Sequence, residues 1–205
     1  MKKLFLLSSL MMMSVIAYAQ INAFKDGYNT LYVGYAPYGF TTISSSPKSS
    51  DESIKYKYKS YWNVNICKEG KLRGFGTMVE VLFSKAKFNE IVNPEAASAV
   101  NLPTEADDLY VFDASFYGGQ VFNKGRRVQF PLYGGAGIDY VKGSPFHHLT
   151  GHIGFKFRTN IYITEKFGIY CGANYKIGIG GSSKLGTLIP QNFYVDAGLV
   201  ISFDK

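Results

Sequence analysis

The stretch Asp196-Ala197-Gly198-Leu199-Val200-Ile201-Ser202-Phe203 stands at the end of the chain, with only Asp204 and Lys205 after it. Read as an extended strand beginning slightly earlier, it sorts into two faces. Phe193, Val195, Ala197, Leu199, Ile201 and Phe203 lie on one, and Tyr194, Asp196, Gly198 and Ser202 on the other. An apolar strand face has to meet a protein core or lipid, and period-two alternation alone does not say which.

The same alternation recurs upstream. In 152–163, Ile153, Phe155, Phe157, Thr159, Ile161 and Ile163 oppose His152, Gly154, Lys156, Arg158, Asn160 and Tyr162. In 167–179, Phe167, Ile169, Cys171, Ala173, Tyr175, Ile177 and Ile179 oppose Gly168, Tyr170, Gly172, Asn174, Lys176 and Gly178. Helix signals are almost absent, and clusters of Gly, Asn, Ser and Pro punctuate the strands. The pattern predicts eight strands, near 28–39, 54–66, 73–85, 108–121, 128–141, 152–163, 167–179 and 192–203. Each has about the 9–11 residues that a tilted strand needs to cross a bilayer, or slightly more.

The predicted connections alternate in length. Cys67–Lys71, Asn123–Arg126 and Thr164–Lys166 are short; Thr41–Ser53, Ala86–Asp107, Lys142–Gly151 and Gly180–Gln191 are long. That alternation belongs to an up-and-down transmembrane barrel with periplasmic turns and extracellular loops. Aromatics at predicted strand ends (Tyr38, Phe40, Tyr56, Tyr110, Tyr133, Tyr140, Tyr162 and Phe203) fit the two membrane interfaces.

The N-terminus agrees. Lys2 and Lys3 precede an apolar run from Leu4 to Ile16, and Ala17-Tyr18-Ala19 is a small-x-small cleavage site before Gln20. Residues 1–19 read as a secretion signal, and 20–205 as one domain. The net charge of +7 is spread among strands and turns, so an exported chain has lipid phosphates or acidic glycans as anionic neighbours, and no nucleic acid. With no run of eighteen apolar residues after residue 19, membrane insertion requires a closed barrel, the one sheet form that satisfies every strand in lipid.

The terminal strand, with Asp196, Gly198, Ile201 and Phe203 as its marked positions, resembles the C-terminal signal of Gram-negative outer-membrane β-barrels. The resemblance implies recognition by the barrel assembly machinery. Over residues 20–205 the chain resembles the small barrels of the OmpA/OmpX type, in the porin-like outer-membrane β-barrel domain group. It departs from them in placing Asp204 and Lys205 after the aromatic. The expected fold is all-β: one antiparallel up-and-down transmembrane barrel of about eight strands, exported through the periplasm to the outer membrane of a Gram-negative bacterium.

An eight-stranded barrel is just wide enough to be filled by its own side chains. A charge facing lipid costs a few kcal/mol at mid-depth. The acids Glu80, Asp113, Asp139 and Asp196 and the bases Lys57, Lys59, Lys156, Arg158 and Lys176 are therefore expected to meet inside as an ion-pair network.

His147, His148 and His152 read as polar residues of the Lys142–Gly151 loop and its exit, near the outer rim, and no metal site or cofactor is expected. Small lipid-modifying barrels such as lipid A deacylases place His and Ser together. Here Ser144 lies in a loop and Ser115 on another strand, so nothing fixes a catalytic set; Asp139 with His148 or His152 is the first pair to test. Cys67, in a predicted turn, and Cys171, facing lipid, lie on non-adjacent strands and are expected not to bridge. The strand glycines open no helix and so form no phosphate loop. Pro131 marks a lapse or bulge in its strand.

The leading expectation is a non-enzymatic outer-membrane protein with a structural or surface-interaction role and a filled lumen. Its partners would be outer-membrane lipids, lipopolysaccharide and an extracellular ligand met through the long loops. A narrow porin-like channel for small solutes or ions is the alternative, and a lipid-modifying enzyme the third reading.

Overall fold

The computed structural model describes residues 30–46, 53–72, 75–99, 101–182 and 185–203; the expected secretion signal, residues 1–19, lies outside them. The strands are β1 (Thr30–Ser46), β2 (Ile54–Leu72), β3 (Phe75–Val92), β4 (Leu109–Phe122), β5 (Val128–Gly143), β6 (Phe146–Tyr162), β7 (Phe167–Ser182) and β8 (Gly186–Ser202). One helix, α1 (Pro94–Ala99), follows β3. Every strand pairs antiparallel with its neighbour in sequence, and β1 pairs with β8 to close the barrel. Closure removes the unpaired edges that an open sheet would expose. Among the described residues no helix is long and apolar enough to cross a membrane.

The strands run longer than predicted, at 14 to 19 residues. Two predicted long loops are largely strand. Lys142–Gly151 is a tight hairpin in which His147 pairs with Lys142 and His148 with Val141. Leu188 and Pro190, placed in a loop by their sequence, pair with β1. The predicted turn Cys67–Lys71 belongs to β2, where Cys67 pairs with Glu80. Pro131 leaves a gap in the ladder to β6 with no change of register, because the missing N–H removes a bond without inserting a residue.

The outer surface changes character along the barrel axis. Through the middle and the end that carries the short turns (the inner end), Val33, Ile66, Val79, Phe116, Ile153, Phe155 and Ile169 point outward while charged residues point in. At the outer end the faces invert. Ile43, Ile54, Tyr56, Tyr58, Leu109, Phe146 and Leu188 pack inside, and Lys55 and Lys59 point out. In β2 the inversion coincides with irregularities at Lys57/Tyr58 and Ser60/Trp62. Ile54, Tyr56 and Tyr58 point inward before them, and Asn63, Asn65, Cys67 and Glu69 after them. An extra residue in one strand shifts its parity by one. The lower barrel is thus built for hydrocarbon outside, and the upper part for water outside.

Three aromatics assigned to the interfaces, Tyr56, Tyr133 and Tyr162, are instead buried inside. Their strand parity is inward. Tyr38, Phe40, Tyr110, Tyr140 and Phe203 are exposed, as an interface belt requires. Cys171 is exposed, Cys67 is buried in the lumen, and both are free thiols.

Phe155 is 61% exposed on β6. Phe155→Arg should cost about 2–4 kcal/mol when the barrel folds into vesicles, because the charge enters hydrocarbon. Equilibrium denaturant titration reads this as a lower midpoint. An unchanged midpoint would mean that this face meets water.

Candidate functional site in the barrel interior

The lumen holds three tiers of polar side chains. Nearest the inner end, Glu69 accepts hydrogen bonds from the hydroxyls of Thr30, Tyr32 and Tyr133. Asn160 donates to Tyr32 Oη at 2.8 Å. Beside this, Asp196 accepts from Asn65 Nδ2 (2.8 Å), Asn174 Nδ2 (2.9 Å), Tyr170 Oη (3.2 Å) and Arg158 Nη2 (3.1 Å). The Arg158 guanidinium lies 4.5 Å from the Tyr32 ring centroid and 4.6 Å from that of Tyr170, a cation–π arrangement on both.

The middle tier centres on Glu80. Its carboxylate meets Lys156 Nζ at 2.5 Å and Lys176 Nζ at 3.2 Å, with Arg158 Nη2 at 3.6 Å. Tyr194 Oη and Cys67 Sγ donate to it at 3.2 and 3.0 Å. Lys156 and Lys176 come from β6 and β7, across the barrel from β3. A carboxylate this well satisfied is the arrangement that makes a buried ion tolerable.

In the upper tier, Lys176 Nζ also reaches Asp113 Oδ1 at 2.8 Å. Asp113 and Asp139 are cross-strand partners in β4 and β5. Ser115 Oγ donates to Asp113 Oδ1 at 2.7 Å and lies 3.0 Å from His152 Nε2. His152 Nε2 is 3.2 Å from Asp113 Oδ2, and its Nδ1 is 3.1 Å from Asp139 Oδ2. Below the outer apolar cluster, a cavity of about 30 Å³ reaches Asp139, Lys176, Asn63, Asn192 and Tyr194, room for an ordered water.

Above these tiers the apolar cluster fills the outer mouth. Ala97 of α1 is buried in it, and Leu102 and Ala106 pack against it. Tyr56 Oη donates to the carbonyl of Pro103 at 2.9 Å, tying the segment after α1 to the rim.

Seven of the nine charges expected in the lumen come together there: Glu80, Asp113, Asp139, Asp196, Lys156, Arg158 and Lys176. Lys57 and Lys59 do not. They stand on the outer surface of the upper barrel, where Lys57 Nζ pairs with Glu90 at 2.8 Å, because the β2 irregularities reverse the parity extrapolated from the lower strand. Of the terminal-strand positions, Asp196 is wholly buried and Phe203 is half exposed beneath the Lys68 ammonium, 4.6 Å from its ring.

Sequence reasoning missed Glu69, taken for a turn residue, and set Ser115 aside as lying on another strand, although packing inside the barrel brings it 3.0 Å from His152 Nε2. It also misplaced His152 at the rim, because a long loop was expected before it where the chain forms a tight hairpin. The signal was present, since His152 shares strand parity with Lys156 and Arg158, whose place inside was expected.

Ser115, His152 and Asp139 approach the separations of a nucleophile–base–orienter set, but not its directions. The Ser115 hydroxyl gives its proton to Asp113, and His152 Nδ1 makes no aligned hydrogen bond. The group is also buried.

No family model matches the chain, and no curated protein does. Solved structures do. The chain is similar to the outer membrane protein OprG from Pseudomonas aeruginosa (9% identity, 91% of this chain and 100% of that one, TM-score 0.51). It is similar also to the outer membrane protease OmpT from Escherichia coli (7% identity, 88% and 98%, TM-score 0.52). Neisserial surface protein A matches at 13% identity over 84% and 97%, with a TM-score of 0.48. The fold is that of the small outer-membrane β-barrels, and the apolar outer face is the surface such a fold lays against the outer membrane's lipid.

Proposed function

We propose that this outer-membrane barrel is a closed, non-conducting and non-catalytic surface protein, anchored by its lower half and presenting its upper half to the exterior. The observation that carries this reading is the filled lumen. Glu80, Lys156, Lys176 and Arg158 bridge opposite walls at mid-height, and the apolar cluster under α1 occupies the outer mouth. An ion entering would have to displace paired charges and then cross an apolar layer, and each step carries a desolvation cost.

The partners follow from the outer surface. Lys55, Lys59 and Lys87 point outward on β2 and β3, Lys59 opposite the belt residue Phe40, and offer ammonium groups to lipopolysaccharide phosphates. The upper rim is the surface offered to an extracellular ligand. The alternating terminal strand, with Phe203 just beyond its last residue Ser202, supports recognition by the barrel assembly machinery before insertion.

Reconstitution in planar bilayers tests the reading. The folded barrel should give no steady single-channel conductance, and liposomes carrying it should not swell in small sugars. Stable, concentration-independent conductance steps would establish the narrow-channel alternative instead.

A further inference from the structure

We propose that Asp113, Asp139 and His152, with Ser115 beside them, form a binding site for one divalent metal cation of the Zn²⁺ or Mn²⁺ kind. This goes beyond the closed-barrel reading and does not depend on it. The three residues each bring a ligand atom within 4.8 Å of the others, and all three are buried.

Two further observations point to a cation. The first is unsatisfied polarity. Asp113 Oδ2 and His152 Nδ1 are buried without a hydrogen-bond partner, although each lies just over 3 Å from a polar atom of the same cluster. Contacts that close but off the bonding direction describe the edge of a coordination polyhedron. Ligand atoms about 2.0–2.1 Å from a metal stand about 3.0–3.4 Å apart, and each lies well off its neighbour's lone-pair axis. Two such separations are seen, one on each ring nitrogen: His152 Nε2 to Asp113 Oδ2 at 3.2 Å and His152 Nδ1 to Asp139 Oδ2 at 3.1 Å.

The second observation is charge. Among the described residues the buried acids are Glu69, Glu80, Asp113, Asp139 and Asp196, while the buried Lys and Arg are Lys156, Arg158 and Lys176. Lys156 is committed to Glu80, Arg158 to Asp196, and Lys176 is shared between Glu80 and Asp113. Asp139 has no Lys or Arg in its ion pairs, only His152. One of the two missing positive charges falls at Glu69, which is met by hydroxyls alone, and the other at Asp139, where a cation between the two aspartates supplies it. One ring nitrogen of His152 would ligate, and the other would face a carboxylate that fixes the tautomer. Two carboxylates, an imidazole and a hydroxyl are an oxygen-rich set with one borderline nitrogen, suited to Zn²⁺ or Mn²⁺ rather than to a thiophilic ion. The small cavity at Asp139 leaves room for a water to complete the coordination.

The test is to refold residues 20–205 into detergent with Zn²⁺ or Mn²⁺, wash with a weak chelator, desalt, and measure metal per chain by mass spectrometry. About one equivalent should remain on the wild type and on His147→Ala, which removes a rim histidine. Asp139→Asn and His152→Gln should bind at least about 100-fold more weakly. Gel migration of the unheated sample verifies that each variant is folded. If a variant does not fold, Co²⁺ absorption on the wild type decides: ligand-field bands of a nitrogen–oxygen site support the proposal. Retention of no metal by the folded wild type, or equal retention by folded Asp139→Asn, would overturn it; in the first case protons carry the excess charge.

Discussion

Glu80→Ala lowers the stability of the folded barrel by about 3–5 kcal/mol, the cost of removing one partner from a buried ion cluster. The loss is large because Glu80 serves two ammonium groups at once. Without it, Lys156 keeps only the Tyr194 hydroxyl and its ring contacts with Tyr117 and Tyr194, and Lys176 keeps Asp113. The Arg158 guanidinium also loses a carboxylate 3.6 Å away. Denaturant titration in vesicles measures the effect, and the heat-modifiable folded band should fade in unheated gels. A second variant separates charge from packing. Glu80→Gln combined with Lys156→Met removes the stranded ammonium while Lys176 keeps Asp113, and should recover most of the loss, since apolar replacement of a whole buried pair is often neutral. If Glu80→Ala alone is silent, water has access to the middle tier and the filled-lumen reading fails.

Gly198→Val should prevent closure of the barrel. Gly198 pairs with Gly34 across the β1–β8 seam. A Cβ on Gly198 would lie 2.1 Å from the Val33 carbonyl oxygen and 2.6 Å from Gly34 Cα, both backbone atoms that cannot move without parting the strands. The cost is at the top of the overpacking range, about 3 kcal/mol or more, and falls on the one pairing that joins the chain's two ends. The expected result is loss of the compact band and accumulation of unfolded chain. Gly118→Val is the control. Nothing lies within 4 Å of a Cβ there, so it should fold normally. Normal folding of Gly198→Val would show that the seam is looser than its register implies.

These two positions also mark what can be read along a single strand and what cannot. Glu80 sits between Val79 and Val81, and alternation alone sends it to the face opposite the apolar one. Its partners, 76 and 96 residues away, are specified by no local pattern. Gly198 was visible as part of a terminal motif, but the need for glycine comes from Gly34 at the far end of the chain. Lys57 and Lys59 were misplaced for the same reason. Parity carried along β2 is sound until an extra residue breaks it, and nothing in the sequence announces the irregularities at Tyr58 and Trp62. Loop lengths failed at Lys142–Gly151 because Gly, Ser and Pro mark a turn without saying how tight it is.

The sequence by itself determined the eight-strand order, the export signal as an expectation, and the choice of face for most lower-barrel residues. Side-chain direction in a strand repeats every two residues, so local pattern suffices for these. Only the tertiary structure decided which charges meet, that His152 lies between two aspartates, and that the outer mouth is closed by an apolar cluster and α1. Those facts depend on the stagger of eight strands around a closed ring. Stagger is a relation between segments far apart in the chain, and no window along it contains that relation.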